Sequence, residues 1–437
     1  MDNNEKFLIQ RKTRLRYQWL RFKTGLYGIF TDWLKAAVAG LYILLVILFW
    51  NFKEKFIYIN DVDIFGAANK ITIELVFPFI FIGLFVVLIV FLGTPFGAKE
   101  INEGLLRTGL INHVGETPLL IKKSFDKTTK ETILEFESNG IPLCDWENNK
   151  ESIEAILNVN VIELMQGKKR KRIILKTVSG DIQIPWAIIW KDAYLSHKDF
   201  EIVLGKSLLE DIKVDLNKIP HILIGGSTGS GKSFLLKHLL LQCIKKGAEV
   251  HIADFKGGVD FCRIWREKCI FIMEKNELLE DLDCLINELE KRKKILSDTS
   301  YSNISELNKI QYDSDKLKRI IFACDEVAEL LDKTGLSKED KDLISKIENK
   351  LAIIARQGRA FGIHLILATQ RPDANILPGQ IRNNIDFREC GRADTVLSQI
   401  ILDNTKAADE IPKHTQGRFI THDGKVFQGY MYDESTI

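Results

Sequence analysis

The sequence predicts an α/β fold for its second half: a parallel sheet with helices between the strands. Two transmembrane helices and a small α+β module should precede it. Three observations carry this expectation. Largely apolar runs at residues 222–224, at 249–253 and within 319–326 and 362–372 suit strands buried on both faces of a sheet. Between them, Leu278, Leu279, Leu282, Leu285, Ile286 and Leu289 recur at the spacing of an amphipathic helix. Upstream, two apolar runs without a charge, residues 36–52 and 75–93, each approach the ~20 residues that cross a bilayer.

The chain has 437 residues, room for two or three domains, and a net charge of only +2. Total charge therefore gives no argument for a nucleic-acid partner, and any such surface must be a local patch. Seven cysteines occur with no C-x-x-C pair, which reads as reduced, partly buried thiols of a cytosolic bulk and argues against zinc.

In chain order, residues 1–35 form a basic amino terminus with Arg11, Lys12, Arg14, Arg16, Arg21 and Lys23. By the positive-inside rule this segment stays in the cytoplasm. The spans fall within residues 36–93, with Trp33, Trp50, Tyr58 and Phe96 near their ends as interfacial aromatics. No small-residue cleavage site follows the first run and a second run does follow, so a signal peptide is excluded. Two spans return the chain to the cytoplasm, with the short connection 53–74 outside. The expected location is a bacterial cell membrane, multi-pass, with the bulk of the chain cytoplasmic.

Residues 94–200 read as an α+β connecting domain. Residues 132–136 and 173–178 look like strands, and Ile153, Ile156, Leu157 and Val161 fit a helix face. Ser179, Gly180 and Asp181 suggest a hairpin turn into a further strand over 182–189. Lys168, Lys169, Arg170, Lys171 and Arg172 form a basic knot, read as a solvated turn in preference to a phosphate contact.

Residues 201–437 hold the chemistry. From Gly226 the chain runs Gly-Ser-Thr-Gly-Ser-Gly-Lys-Ser, a full G-x-x-x-x-G-K-[ST] phosphate loop between an apolar strand and a helical pattern that stops near Gly247. Gly226, Gly229 and Gly231 let the backbone curl so that the N–H groups of Ser227, Thr228, Ser230 and Phe234 can face an anion. The helix starting near Lys232 adds its positive end. Lys232 can bridge β- and γ-phosphates, and the Ser233 hydroxyl can ligate Mg²⁺. ATP with Mg²⁺ is the expected ligand.

The run 319–324 ends in Asp325 and Glu326. Downstream of a phosphate loop, these carboxylates suit a water-mediated hold on Mg²⁺ and the polarisation of an attacking water. Gln370 closes the run 363–369, beside Thr369 and Arg371, at the strand end where α/β sheets place ligand contacts. The charged stretch 290–294 reads as a solvated helix end.

With these residues in hand, residues 200–429 resemble the motor domain of FtsK/SpoIIIE-family DNA translocases. The matching stretches are 203–206, 220–233, Asp254-Phe-Lys-Gly-Gly, Cys324-Asp-Glu, 359–372 and Ile381-Arg-Asn-Asn-Ile, in the family's order. The resemblance implies a RecA-like P-loop ATPase that assembles as a homo-hexameric ring and moves DNA through its pore. It implies that Arg382, and Arg359 with it, face DNA. It also implies a trans arginine finger within 387–401, Arg388 first and Arg392 second, although the family's usual arginine near Gln399 is absent.

No winged-helix segment follows the last motor strand, and the long linker of cell-division translocases is missing. This plan resembles the coupling proteins of integrative conjugative elements, which deliver relaxase-bound DNA to a type IV secretion channel. The alternatives are a type VII-like protein-secretion ATPase, a chromosome-segregation translocase reduced to its motor, and a scaffold with a dead nucleotide site.

Overall fold

The computed structural model describes residues 3–57, 64–370 and 377–434. Tyr58, expected at a membrane boundary, and Arg371, expected beside Gln370, lie outside these residues. The chain divides into two compact units, Met1–Ile182 and Gln183–Ile437.

The first unit opens with α1 (Asn3–Thr31) and, after a break at Asp32, α2 (Trp33–Phe56). Asp32 caps α2 by accepting from the Leu34 N–H. Then come α3 (Ile64–Ile71), a π-helical turn at Thr72–Val76, and α4 (Phe77–Leu92). Two stretches, Trp33–Lys53 and Asn69–Leu92, are long and apolar enough to cross a bilayer and lie almost wholly exposed. At 1.5 Å per residue, 21 residues span roughly 32 Å, close to a hydrocarbon core. α2 and α4 pair antiparallel: the Tyr42 hydroxyl donates to the Phe81 carbonyl at 2.7 Å, and Phe49 packs on Phe77 and Phe81. α1 meets the end of α4 through two glycines. A Cβ on Gly25 would lie 1.9 Å from the Ile89 carbonyl, and one on Gly93 as near the Arg21 carbonyl.

The rest of this unit is an antiparallel sheet in the order β1-β2-β4-β3, from β1 (Leu119–Asp126), β2 (Glu131–Glu137), β3 (Val159–Gln166) and β4 (Arg172–Ser179). α5 (Ala98–Arg107), α6 (Leu143–Asn148) and α7 (Lys150–Leu157) cover one face. The core gathers Leu105, Leu120, Phe136, Trp146, Ile153 and Leu175, with the Phe136 and Trp146 rings 5.1 Å apart. Val161 belongs to β3 and not to the helix face that its spacing suggested. A helix ends before it because Asn158 takes a left-handed conformation.

The second unit begins earlier than the boundary at 200 that composition suggested. Residues 183–200 pack on this unit: Trp190 lies against His238 and Tyr430, with ring centroids 4.5 and 5.2 Å away. The strand expected over 182–189 is not formed. The segment docks by an isolated bridge between Ile189 and Met431, which leaves the hairpin turn at Gly180 without a second arm. The central sheet has ten strands: β5 (Glu201–Lys206), β6 (Asp211–Asp215), β7 (Ile222–Gly225), β8 (Glu249–Ala253), β9 (Ile270–Ile272), β10 (Ile320–Cys324), β11 (Ile363–Thr369), β12 (Phe387–Cys390), β13 (Arg418–Thr421) and β14 (Val426–Gly429). Their order is β6-β5-β14-β13-β12-β7-β11-β10-β8-β9. From β12 to β9 all pairs are parallel; from β12 to β6 all are antiparallel. The expected parallel sheet is thus the nucleotide half of a mixed one. Its central strands β7, β10 and β11 are buried throughout, as their largely apolar runs require.

α8 (Lys232–Lys245) packs on one face, and the helices Lys275–Thr299 and Lys338–Phe361 pack on the other. The basic stretch 290–294 lies inside Lys275–Thr299, not at its end. Arg292 is buried there, donating to the Phe361 carbonyl at 2.7 Å and to Glu288. All seven cysteines are free thiols, but Cys144, Cys262 and Cys284 are exposed, so burial does not describe the whole set.

Candidate nucleotide site

Register brings the site together. Gly225 is level with Thr369, Ile366 with Ile222, and Cys324 with both Leu367 and Ala253. The carboxyl ends of β7, β8, β10, β11 and β12 therefore open on one edge, beside the point where the order turns from β7 to β12. The phosphate loop, the Asp254–Lys256 turn, Asp325–Glu326, Thr369–Gln370 and Gly391–Arg392 all emerge there.

The loop's shape follows from its glycines. Gly229 and Gly231 sit at φ 76° and 98°, where a side chain is strained. A Cβ on Gly226 would stand 2.4 Å from Ser230 Oγ. Gly231 caps α8 with no side-chain bond, so the first amides of a 14-residue helix are left for an anion. Ser230 Oγ is buried without a hydrogen-bond partner among the described residues. The Ser227 amide is tied to the Arg392 carbonyl at 2.8 Å, which anchors the start of the loop. Uncapped amides and an orphaned hydroxyl fit a polyphosphate.

The charged centre is buried. Lys232, with its side chain 6% exposed, donates to the Asp325 carbonyl at 2.6 Å and lies 3.2 Å from Asp325 Oδ1. Lys256 reaches Asp325 Oδ2 at 3.3 Å from the far side. Burial pushes the Asp325 carboxyl toward its neutral form, but Lys232, Lys256 and the Ser233 hydroxyl outweigh it and hold the group below the usual carboxylate range. Burial likewise opposes the charge on Lys256, yet Asp325, Glu326 and Asp260 keep it above an ordinary lysine. Glu326 is aimed by its neighbours: Thr369 Oγ1 donates to Oε1 at 2.8 Å and the Gln370 amide to Oε2 at 3.1 Å. Gln370 Oε1 accepts from Thr228 Oγ1 at 3.0 Å, which links the loop to the strand that holds Glu326.

Among the described residues no group of three or more His, Cys, Asp or Glu could hold a metal by itself. Ser233 and Asp325 offer two hard oxygen donors beside the cradle, the pattern of a cation that shares its shell with phosphates. Phe234 follows them, half exposed, its ring 5.6 Å from Tyr432.

Of the four arginines singled out in the sequence for DNA or the finger, Arg392 alone touches the phosphate loop. Arg388 donates to Asp403 Oδ2 at 2.6 Å and to the Ile385 carbonyl at 3.0 Å. Arg382 reaches the same Asp403 at 3.6 Å and the Ile400 carbonyl at 3.2 Å. Arg392 bonds the Thr228 carbonyl of its own chain's phosphate loop at 2.6 Å. Arg359 sits just before β11, at the opposite edge of the sheet, with Nε 3.3 Å from the Asn217 carbonyl.

Sequence reasoning left two parts unassigned. Lys256 lies in a stretch noted for resemblance, but its approach to Asp325 depends on β8 and β10 being neighbours. A cavity of about 290 Å³ lies beside Gly231, walled by Trp186, Phe234, His414, Gln416 and Met431. These residues come from three distant segments, so no local pattern announces them.

Comparison with known proteins agrees with this geometry. A profile of the FtsK/SpoIIIE family matches residues 191–374. The DNA translocase FtsK of Shewanella oneidensis is 28% identical over 289 residues, 57% of this chain and 30% of that protein. The one from Chlorobaculum tepidum is 31% identical over 219 residues, 46% and 26% respectively. The chain thus spans about a third or less of the length of the curated relatives it matches. Among solved structures, the pCW3 conjugation coupling protein TcpA, in a monomer form with ATPgS, is 36% identical with a TM-score of 0.58; the match covers 78% of this chain and 96% of that one. With the family profile matched across residues 191–374, which hold the phosphate loop and the paired carboxylates, and a 36% identical relative matched almost end to end, the chain belongs to the FtsK/SpoIIIE family of P-loop ATPases.

Proposed function

We propose that this protein is a membrane-anchored, ATP-driven DNA translocase that serves as the coupling protein of a conjugative element. It would deliver relaxase-bound DNA to a type IV secretion channel. The observation that carries this reading is the 36% identity across nearly all of a conjugation coupling protein, joined to an intact catalytic edge. The two apolar stretches support an anchor in a bacterial cell membrane, with the amino terminus and the ATPase unit cytoplasmic.

The geometry supplies a mechanism. The amides of 228, 229 and 231–234 and the Lys232 ammonium bind the triphosphate, while the Ser227 and Ser230 amides, bonded to the Arg392 and Ser227 carbonyls, hold the loop's shape. The aromatic-walled cavity beside Gly231 takes the base. Ser233 and Asp325 would hold Mg²⁺, which would supply neutralisation of the triphosphate's charge. Lys232 leaves Asp325 for the phosphates when the nucleotide arrives. Glu326, oriented by Thr369 and Gln370, accepts the proton of the attacking water. Gln370 reports the γ-phosphate to the loop through Thr228. Six copies would form a ring, in which Arg388 exchanges Asp403 for a neighbour's γ-phosphate. Arg382, and Arg359 from the other edge, face the DNA.

The test is hydrolysis by full-length protein in detergent. Duplex or single-stranded DNA should stimulate it, and an exported protein substrate should not. Glu326→Gln should keep nucleotide binding and lose turnover. Stimulation by protein substrates alone, or no response to any nucleic acid, would sink the proposal.

A further inference from the structure

The basic knot at 168–172 and the basic face of α1 are not used by the ATPase. The fold brings them together. A cleft of about 260 Å³ opens between α1 and the sheet of the first unit, lined by Arg16, Trp19, Lys23, Glu137, Lys169 and Arg172 among others. α1 is strapped to that sheet: the Tyr17 hydroxyl donates to the Leu120 carbonyl at 2.6 Å, and Gln10 Nε2 to the Val114 carbonyl at 2.9 Å.

The charges in the cleft do not balance. Glu137 is the one carboxylate in its lining, and it is taken by Lys171 and Arg172, each at 3.3 Å. Among the described residues, Arg16, Lys23 and Lys169 have no carboxylate partner. Arg172 Nη1 is buried with no hydrogen-bond acceptor among the described residues and lies 3.7 Å from the Glu135 carboxylate, too far for a hydrogen bond. Trp19, Leu20 and Ile121 give the cleft an apolar wall beside these cations. The combination suits a phosphate ester that carries an apolar tail.

Position selects the source. The Arg21 carbonyl lies against Gly93, which follows the end of α4, so Lys23 is within a turn of the close of the second apolar stretch. The headgroup layer adds roughly 5–8 Å to each side of the hydrocarbon core, about one helical turn.

We propose that this cleft binds the phosphate of an anionic phospholipid headgroup and so fixes the α+β module to the inner leaflet. The proposal rests on the anchoring put forward above.

The full-length chain is reconstituted with phosphatidylcholine, alone or with a minor fraction of phosphatidylglycerol, and retained lipids are counted by native mass spectrometry. We expect phosphatidylglycerol to be kept roughly tenfold over its share. The triple variant Arg16→Gln, Lys23→Gln, Lys169→Gln should lose that preference. All three side chains are exposed, so packing is untouched. A control that neutralises Lys122, Lys127 and Lys130, outside the cleft, should keep it. An unchanged preference in the triple variant would overturn the site. So would displacement of the lipid by soluble glycerol 3-phosphate, which would make a free phosphate ester the ligand. Loss of DNA binding by the triple variant without loss of lipid preference would reassign the cleft to nucleic acid. Failure to enter phosphatidylcholine bilayers would overturn the anchoring, and the lipid site with it; insertion without preference overturns the site alone.

Discussion

Lys232 and Arg319 are both buried cations on the same sheet, one at its carboxyl edge and one at its amino edge. Arg319 has a side chain only 4% exposed and is saturated. It donates to His364 Nε2 at 3.0 Å, to Ser305 Oγ at 2.6 Å, to Asn217 Oδ1 and, at 3.4 Å, to Asp199, and it covers the Phe200 ring. His364 accepts at Nε2 because its Nδ1–H is spent on the Pro220 carbonyl, 2.9 Å away. Both Nη groups are engaged, and the cluster ties the starts of β5, β7, β10 and β11 together. Lys232 differs. It shares a single carboxylate with Lys256, and beside it lie uncapped amides and an orphaned hydroxyl. A buried charge alone therefore does not mark a site; a buried charge whose neighbourhood is incompletely satisfied does.

The largest expected effect tests the unsaturated edge. Lys232→Ala should lower ATP hydrolysis by about 10³-fold or more, the scale for removing a group that stabilises developing charge. Thermal stability should hardly move, because Lys256 remains on Asp325. A variant that melts far below the parent would put Lys232 in the same structural class as Arg319.

Arg319→Leu tests the saturated edge. It strands His364 Nε2 without a donor and leaves Asn217 Oδ1 with only the Ser305 hydroxyl, and should cost about 3 kcal/mol of stability. Urea unfolding reads it directly. ATP turnover per folded molecule should stay near the parent's, since the cluster lies a strand length from the phosphate loop. A large turnover defect in fully folded protein would join the two edges functionally.

Lys256→Gln separates the two cations of Asp325. Roughly tenfold slower turnover with an unchanged melting curve is expected, because Lys256 adds positive charge beside Asp325 and Glu326 without packing in the core. Lys256→Arg should restore part of the rate. Equal turnover in parent and Lys256→Gln would leave Lys256 as a surface ion pair.

The same contrast explains what could be read in advance. Asp325, Glu326 and Gln370 come directly after apolar runs, and Lys232 and Ser233 close the glycine loop that follows one. The strand pattern therefore carried both their identity and their placement at one end of a sheet. Lys256 lacked that support, because its role appears only once β8 lies beside β10. Trp186 and His414 could not be joined by any local rule, since their cavity needs segments more than two hundred residues apart. The missing strand at 182–189 misled because docking an extended segment needs the same residues as pairing a strand. The stretch 290–294 misled because one buried arginine, Arg292, sits among solvated lysines and is satisfied by the distant Phe361 carbonyl.

Glu389 sharpens the comparison from the acidic side. It stands on β12, level with Ile224 of the phosphate-loop strand, and neither carboxyl oxygen has a hydrogen-bond partner among the described residues. Burial raises its pKa well above the ordinary glutamate value, so the fold keeps it protonated. In the unfolded chain it ionises near 4.5. Below that pH both states hold the proton and nothing is lost. As pH rises past it, the unfolded chain sheds its proton while the fold does not, and stability falls until the folded group ionises too. Glu389→Gln keeps the shape and removes the titration. Its melting temperature relative to the parent should therefore climb between about pH 5 and about pH 8, by a few degrees. A difference that stayed flat over this range would mean that Glu389 is charged in the fold, and a cation or donor to balance it would then have to be sought beside the phosphate-loop strand.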